Sequence, residues 1–90
     1  MAILFRTESD EHAIEIANDS PFGLGASVLG ADLVRLRRAA DRLVAGMVYF
    51  SKSGGSQADL PFEGSKRSGM GRGLGPSVIE ELMNQKSIRF

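Results

Sequence analysis

Apolar residues recur along this chain in two rhythms. Residues 2–5 and 47–50 are short continuous runs and 26–29 is one broken only by Ser27, whereas Ala13, Ile14 and Ala17, and then Leu33, Leu36, Ala40 and Leu43, return at helical spacing. The runs predict buried strands, with residues 87–90 a candidate last one, and the spaced sets predict two amphipathic helices. Ser9 or Asp10 caps the first helix, which must stop near Asn18, because Asn18-Asp19-Ser20-Pro21 followed by Gly23 is turn chemistry. Gly30-Ala31-Asp32 leads into the second helix, and Gly46 is placed to end it. A third helix is expected from Gly75-Pro76-Ser77, with either Pro76 in its first turn or Ser77 and Glu80 as a capping box, and Val78, Ile79, Leu82 and Met83 as its apolar face.

The order strand, helix, strand, helix, strand, long loop, helix, strand implies parallel pairing through right-handed crossovers. The expected fold is therefore α/β, a partial parallel sheet with flanking helices, in one domain or part of one over residues 1–90. Between the third strand and the last helix, residues 51–73 are small, polar and rich in glycine. An irregular stretch of that length inside a compact domain is usually functional or disordered.

Composition narrows the function. A 90-residue chain hides only about 60 to 65% of its unfolded surface, and with no cysteine it has no disulfide to add stability. Eleven basic and eleven acidic side chains leave no net charge, which argues against general binding to nucleic acid or membrane surfaces and so against a small nucleic-acid-binding domain. No apolar run approaches the ~18 residues of a membrane span and the N-terminus does not read as a signal peptide, so the cytoplasm is the default location.

Several constellations invite a chemical reading and fail it. The glycines at 69, 71, 73 and 75 resemble a phosphate-binding run, but Leu74 and Pro76 stand where a dinucleotide fingerprint requires glycine or alanine. A P-loop would place lysine directly after Gly69, and Met70 is there instead. Arg35, Arg38 and Arg42 share a helix face, with Arg37 nearby, and read as a solvated outer surface offset by Asp32 and Asp41. The one histidine, His12, reads as a surface residue in an acidic helix start. Lys66, Arg67 and Arg72 lie in the loop, where they either bind a carboxylate or anchor the loop on backbone carbonyls.

Asp-Leu-Pro-Phe-Glu-Gly-Ser-Lys-Arg-Ser-Gly-Met-Gly-Arg, residues 59–72, resembles the Pro-Phe-Gly-Gly-x-Lys-x-Ser-Gly-x-Gly-Arg-Glu segment near the C-terminus of NAD(P)-dependent aldehyde dehydrogenases. Ala-Ile-Leu-Phe-Arg at the start, Ala-Asn-Asp-Ser-Pro-Phe-Gly-Leu at 17–24, Ala45-Gly46-Met47-Val48 and Asn84-Gln85-Lys86 follow in the family's order, so the resemblance covers nearly the whole chain. Lys66-Arg67-Ser68-Gly69 after Ala58-Asp59-Leu60 is most similar to the succinate-semialdehyde branch.

The resemblance implies a C-terminal portion of the catalytic domain, with residues 51–73 as a substrate-side loop. Phe62 would form one wall of the substrate tunnel, and Ser51, with the residues up to Ala58, would shape its distal end. The bland alternative makes Phe62 an anchor for the loop, the better reading for a fragment without the opposite wall. Ser51 stands where the family usually has asparagine, Glu63 replaces a glycine, and Gly73 replaces a glutamate. A charged residue at 63 strains the backbone if that glycine has positive φ. The family's nucleophile is a cysteine thiolate, which these residues cannot supply, and the family's Glu-x-Phe-Gly-Pro motif would end just before Met1. No catalytic or metal-binding residue is therefore assigned. NAD or NADP serves the family, and neither is expected to bind this chain alone. The expected partner is the missing N-terminal part of a dehydrogenase or a second copy of the chain. A non-catalytic interaction module docking on a dehydrogenase subunit is the alternative.

Overall fold

The structure is a computed structural model describing residues 1–51, 55, 57 and 59–90. Ser9 caps the first helix, α1 (Asp10–Asn18), by accepting from the His12 N–H at 3.1 Å. Ile14 is its buried residue, while Ala17 is exposed. The Pro21 turn leads into β1 (Phe22–Gly23) and then β2 (Gly25–Val28). Asp32 caps α2 (Leu33–Arg42) by accepting from the Val34 and Arg35 N–H groups, and β3 (Met47–Phe50) follows.

β2 and β3 pair in parallel, Gly25 against Met47 through Val28 against Phe50, with α2 as the connection. This is the expected α/β crossover unit. A second pair departs from the expected parallel sheet: β1 runs antiparallel to β4 (Ser65–Lys66), so the described residues form two separate two-stranded sheets, one parallel and one antiparallel. β4 also corrects the expectation that 51–73 is irregular throughout. In that stretch Lys52, Ser53, Gly54, Ser56 and Ala58 lie outside the described residues.

Three other expectations are corrected. Residues 2–5 and 87–90 form no strand, because no described strand offers them a ladder of partners, and Ile3, Leu4, Phe5, Ile88 and Phe90 are exposed. The third helix, α3 (Val78–Leu82), is only 5 residues long. Its capping box does not form: Ser77 is already in helical conformation with no side-chain cap bond, and Ile79, Leu82 and Met83 are exposed. Gly46 does not end α2, which stops at Arg42 with an extended Leu43 after it.

Gly46 is needed for space. A Cβ there would lie 1.9 Å from the Glu63 carbonyl oxygen, so the approach to β3 and the chain before β4 touch backbone to backbone. The core is correspondingly thin. Ile14 on α1 and Leu36 on α2 are the only buried hydrophobic residues among those described, at 6% and 7% exposed.

Gly46→Ala is expected to destabilise the chain by about 2 kcal/mol, as overpacking against backbone does. Gly55→Ala, whose Cβ would meet nothing within 4 Å, should stay within about 0.5 kcal/mol of the parent. Urea unfolding midpoints compare the two, and equal midpoints would mean that the close approach at Gly46 is not kept in solution.

Candidate functional site

Two of the four arginines on α2, Arg35 and Arg42, reach across to α1. Arg35 makes a two-point contact with Asp10, both bonds at 2.6 Å, and Arg42 reaches Glu11 at 3.3 Å. Arg37 pairs along its own helix with Asp41. The stripe is thus partly a helix-to-helix brace and not only a solvated face. Hydrogen bonding from Arg35 holds the Asp10 carboxyl below its usual 3.8, partial desolvation opposes this, and the charges of Arg35 and Arg38 add to the lowering.

The loop's basic residues are committed to structure. Lys66 Nζ donates to the Asn18 and Ser20 carbonyls at 2.7 and 2.9 Å, and Arg72 Nη1 donates to those of Gly64 and Gly71. Arg67 lies over the Phe22 ring, 5.9 Å from its centre. Of the two alternatives for Lys66 and Arg72, the anchoring one holds. His12 is exposed on α1, as expected.

Phe62 is half-buried and clamped. Its N–H donates to the Gly73 carbonyl, and the Gly73 N–H donates back, both at 2.7 Å. Its side chain borders a concavity of about 440 Å³ with Leu24, Met47, Tyr49 and Gly55. It also borders a second of about 740 Å³, to which Phe50, Leu60 and Arg72 contribute. Ser51 extends the β2–β3 pairing by donating from its N–H to the Val28 carbonyl at 2.8 Å, and it has φ 53°. It is exposed and borders neither concavity, so the structure does not bring Ser51 to Phe62.

Glu63 does not have positive φ, so the strain considered for it does not arise. Its carboxylate lies over Gly69, where a Cβ would meet Oε1 at 2.6 Å, and the missing side chain at 69 makes room for it. Sequence reasoning missed Tyr49 as a site residue. The signal was present in the strand alternation, which sets Met47 and Tyr49 on one face of β3.

The glycine run does not fit a dinucleotide. The Glu63 carboxylate covers Gly69, Glu81 accepts from the Arg72 N–H at 3.1 Å, and the helix that follows has 5 residues. Two carboxylates on that loop would repel a pyrophosphate, and so short a helix offers it little.

The aldehyde dehydrogenase family profile matches residues 1–88. The NADP(+) succinate-semialdehyde dehydrogenase of Deinococcus radiodurans is 44% identical over 89 residues, covering 99% of this chain and 19% of that protein. The chloroplastic betaine aldehyde dehydrogenase of Amaranthus hypochondriacus is 44% identical over 80 residues, covering 89% of this chain and 16% of that one. Among solved structures, betaine aldehyde dehydrogenase from Staphylococcus aureus in complex with NAD+ superposes with a TM-score of 0.80 at 37% identity, over 83% of this chain and 15% of that chain. The fold and the sequence thus define an aldehyde dehydrogenase segment, and the chain belongs to that family. It spans about a fifth of the length of the curated relatives it matches. Those relatives use NAD or NADP, and the 90 residues themselves lack the cofactor-binding region. No cysteine is present to act as nucleophile, and no helix among the described residues is long and apolar enough to cross a membrane.

Positive φ at Ser51 leads to a measurable expectation. Left-handed backbone disfavours a serine and suits asparagine or glycine better, so Ser51→Asn should raise stability by roughly 0.5 kcal/mol and Ser51→Val should lower it by about 1 kcal/mol or more. Denaturant melts of the three chains decide it; a Val variant as stable as the parent would place Ser51 outside the left-handed region.

The Asp10 contact carries a pH signature. A carboxyl held below its unfolded value contributes stability that is present above that value and is lost as pH falls through the lower folded one. The stability gap between the parent and Asp10→Asn should therefore be larger at pH 6 than at pH 3, and smaller again in high salt. An identical gap at both pH values would mean that the ion pair is not formed.

Proposed function

We propose that these residues are the C-terminal portion of the catalytic domain of an NAD(P)-dependent aldehyde dehydrogenase, in which residues 51–73 form the substrate-side loop. The complete enzyme oxidises an aldehyde to the carboxylic acid, and succinate semialdehyde is the substrate favoured by the basic form of the motif at residues 66–69. The observation that carries this reading is the position of Phe62. Clamped by Gly73, it stands between two concavities and shares both with Met47 and Tyr49, as a tunnel wall should. Ser51 sits at the loop's entry, where in this reading the segment that shapes the distal end of the substrate begins, and it lines neither concavity itself. The partner is the N-terminal part of a dehydrogenase, in the cytoplasm, and the exposed Ile3, Leu4, Phe5, Leu82 and Ile88 are surfaces suited to it or to self-association. A purely non-catalytic docking module would use the same surfaces without any demand on Phe62.

The purified 90-residue chain should show no aldehyde-dependent reduction of NAD or NADP. Combined with the corresponding N-terminal portion of the Deinococcus relative, it should restore NADP reduction by succinate semialdehyde, and Phe62→Ala should raise KM roughly tenfold, as loss of an apolar pocket contact does. Turnover by the lone chain, or an unchanged KM in the Phe62 variant, would overturn the assignment.

A further inference from the structure

Tyr49 is the chain's one tyrosine. Its ring borders both concavities beside Phe62, and its hydroxyl lies 2.7 Å from the Gly55 carbonyl oxygen and 3.2 Å from the Met47 sulfur. A phenol has one proton to donate. The carbonyl is the stronger acceptor and the closer one, so that proton goes to Gly55, and the thioether is a secondary contact.

The surroundings give this bond leverage. β3 is held in register by β2, and Ser51 is tied to Val28, so Tyr49 projects from a fixed strand. Phe62 is fixed on the other side by its two bonds with Gly73. Gly55 borders the same concavities, and the Tyr49 hydroxyl is its polar tie to β3 among the described residues. A hydroxyl already donating to a carbonyl is poorly placed to donate to a substrate oxygen as well, which separates a positioning role from direct ligation.

We propose that Tyr49 is a positioning residue for substrate discrimination. Its hydroxyl fixes Gly55 as part of the wall of the concavity that Phe62 also borders, and so sets the length of aldehyde the concavity admits. This rests on the substrate-side reading of Phe62 given above. Tyr49→Phe keeps the ring and the strand while removing only the tie.

Two measurements test it. In the isotopically labelled 90-residue chain, Tyr49→Phe should move the Gly55 carbonyl carbon resonance upfield, as loss of an accepted hydrogen bond does, while the β2–β3 amides stay in place. In the enzyme assembled with the Deinococcus N-terminal portion, the same change should raise KM for succinate semialdehyde roughly fivefold, the worth of about one hydrogen bond, with kcat little changed. It should also narrow the kcat/KM preference for that aldehyde over its longer homologue. An unmoved Gly55 carbon, or a moved one with KM and preference unchanged, overturns the proposal. An assembled parent enzyme inactive on every aldehyde removes the substrate-side reading itself, while the carbonyl signal still decides whether the tie exists.

Discussion

The fold hangs on one amide side chain. Asn18, the last residue of α1, donates from Nδ2 to the Arg42 carbonyl and accepts at Oδ1 from the Val44 N–H, both at 2.9 Å. It thereby satisfies a carbonyl at the open end of α2 and an amide on the way to β3 in a single contact. Its own carbonyl receives Lys66 Nζ, which brings β4 to the same place. An aspartate could accept from Val44 but not donate to Arg42, and a serine could not span both, so the two-sided chemistry of asparagine is what this junction needs. With so small a buried core, polar ties of this kind carry much of the tertiary specification.

Much of the fold could be read from the chain because local chemistry agreed with the final packing. Ser9, one of the two cap candidates, caps α1, the Pro21 turn ends it, Asp32 leads into α2, and the runs at β2 and β3 are strands, each settled by neighbours within a few residues. Failures fall where a distant partner decides. The apolar run at residues 2–5 has strand composition, but a strand exists only when another accepts its hydrogen bonds. β4 shows no strand pattern and forms because Phe22 and Gly23 lie opposite it. Gly46 was legible as a special residue, yet its reason, the Glu63 carbonyl, comes from a segment far along the chain. At the candidate site, Phe62 was found through family likeness. Tyr49 required knowing that Gly55 lies within reach of its hydroxyl.

The electrostatics follow the same division between local and distant causes. A zero net charge removes the overall attraction for a polyanion, but it says nothing about where the charges meet. Arg35 and Arg42 reach across to α1, while Arg37 stays on its own helix. These pairs are largely exposed, so they orient the two helices more than they stabilise them, and the burial of Ile14 on α1 and Leu36 on α2 supplies the apolar part.

Backbone strain is concentrated around the segment proposed to face the substrate. Ser51, Lys66 and Leu74 have positive φ without being glycine, and Gly75 continues the last of these turns at φ 73°. Ser51 is held there by its bond to Val28, and Lys66 by its ammonium on two carbonyls. Between them Phe62 is locked to Gly73. Left-handed residues cost free energy that surrounding contacts must offset, so their presence at both ends of one segment indicates that its path is imposed rather than intrinsically favoured. The path it imposes sets two aromatic side chains, Tyr49 and Phe62, around a common concavity in a chain that has no cysteine. In the proposed function this arrangement supplies shape to the reaction, and another part of the dehydrogenase supplies its chemistry.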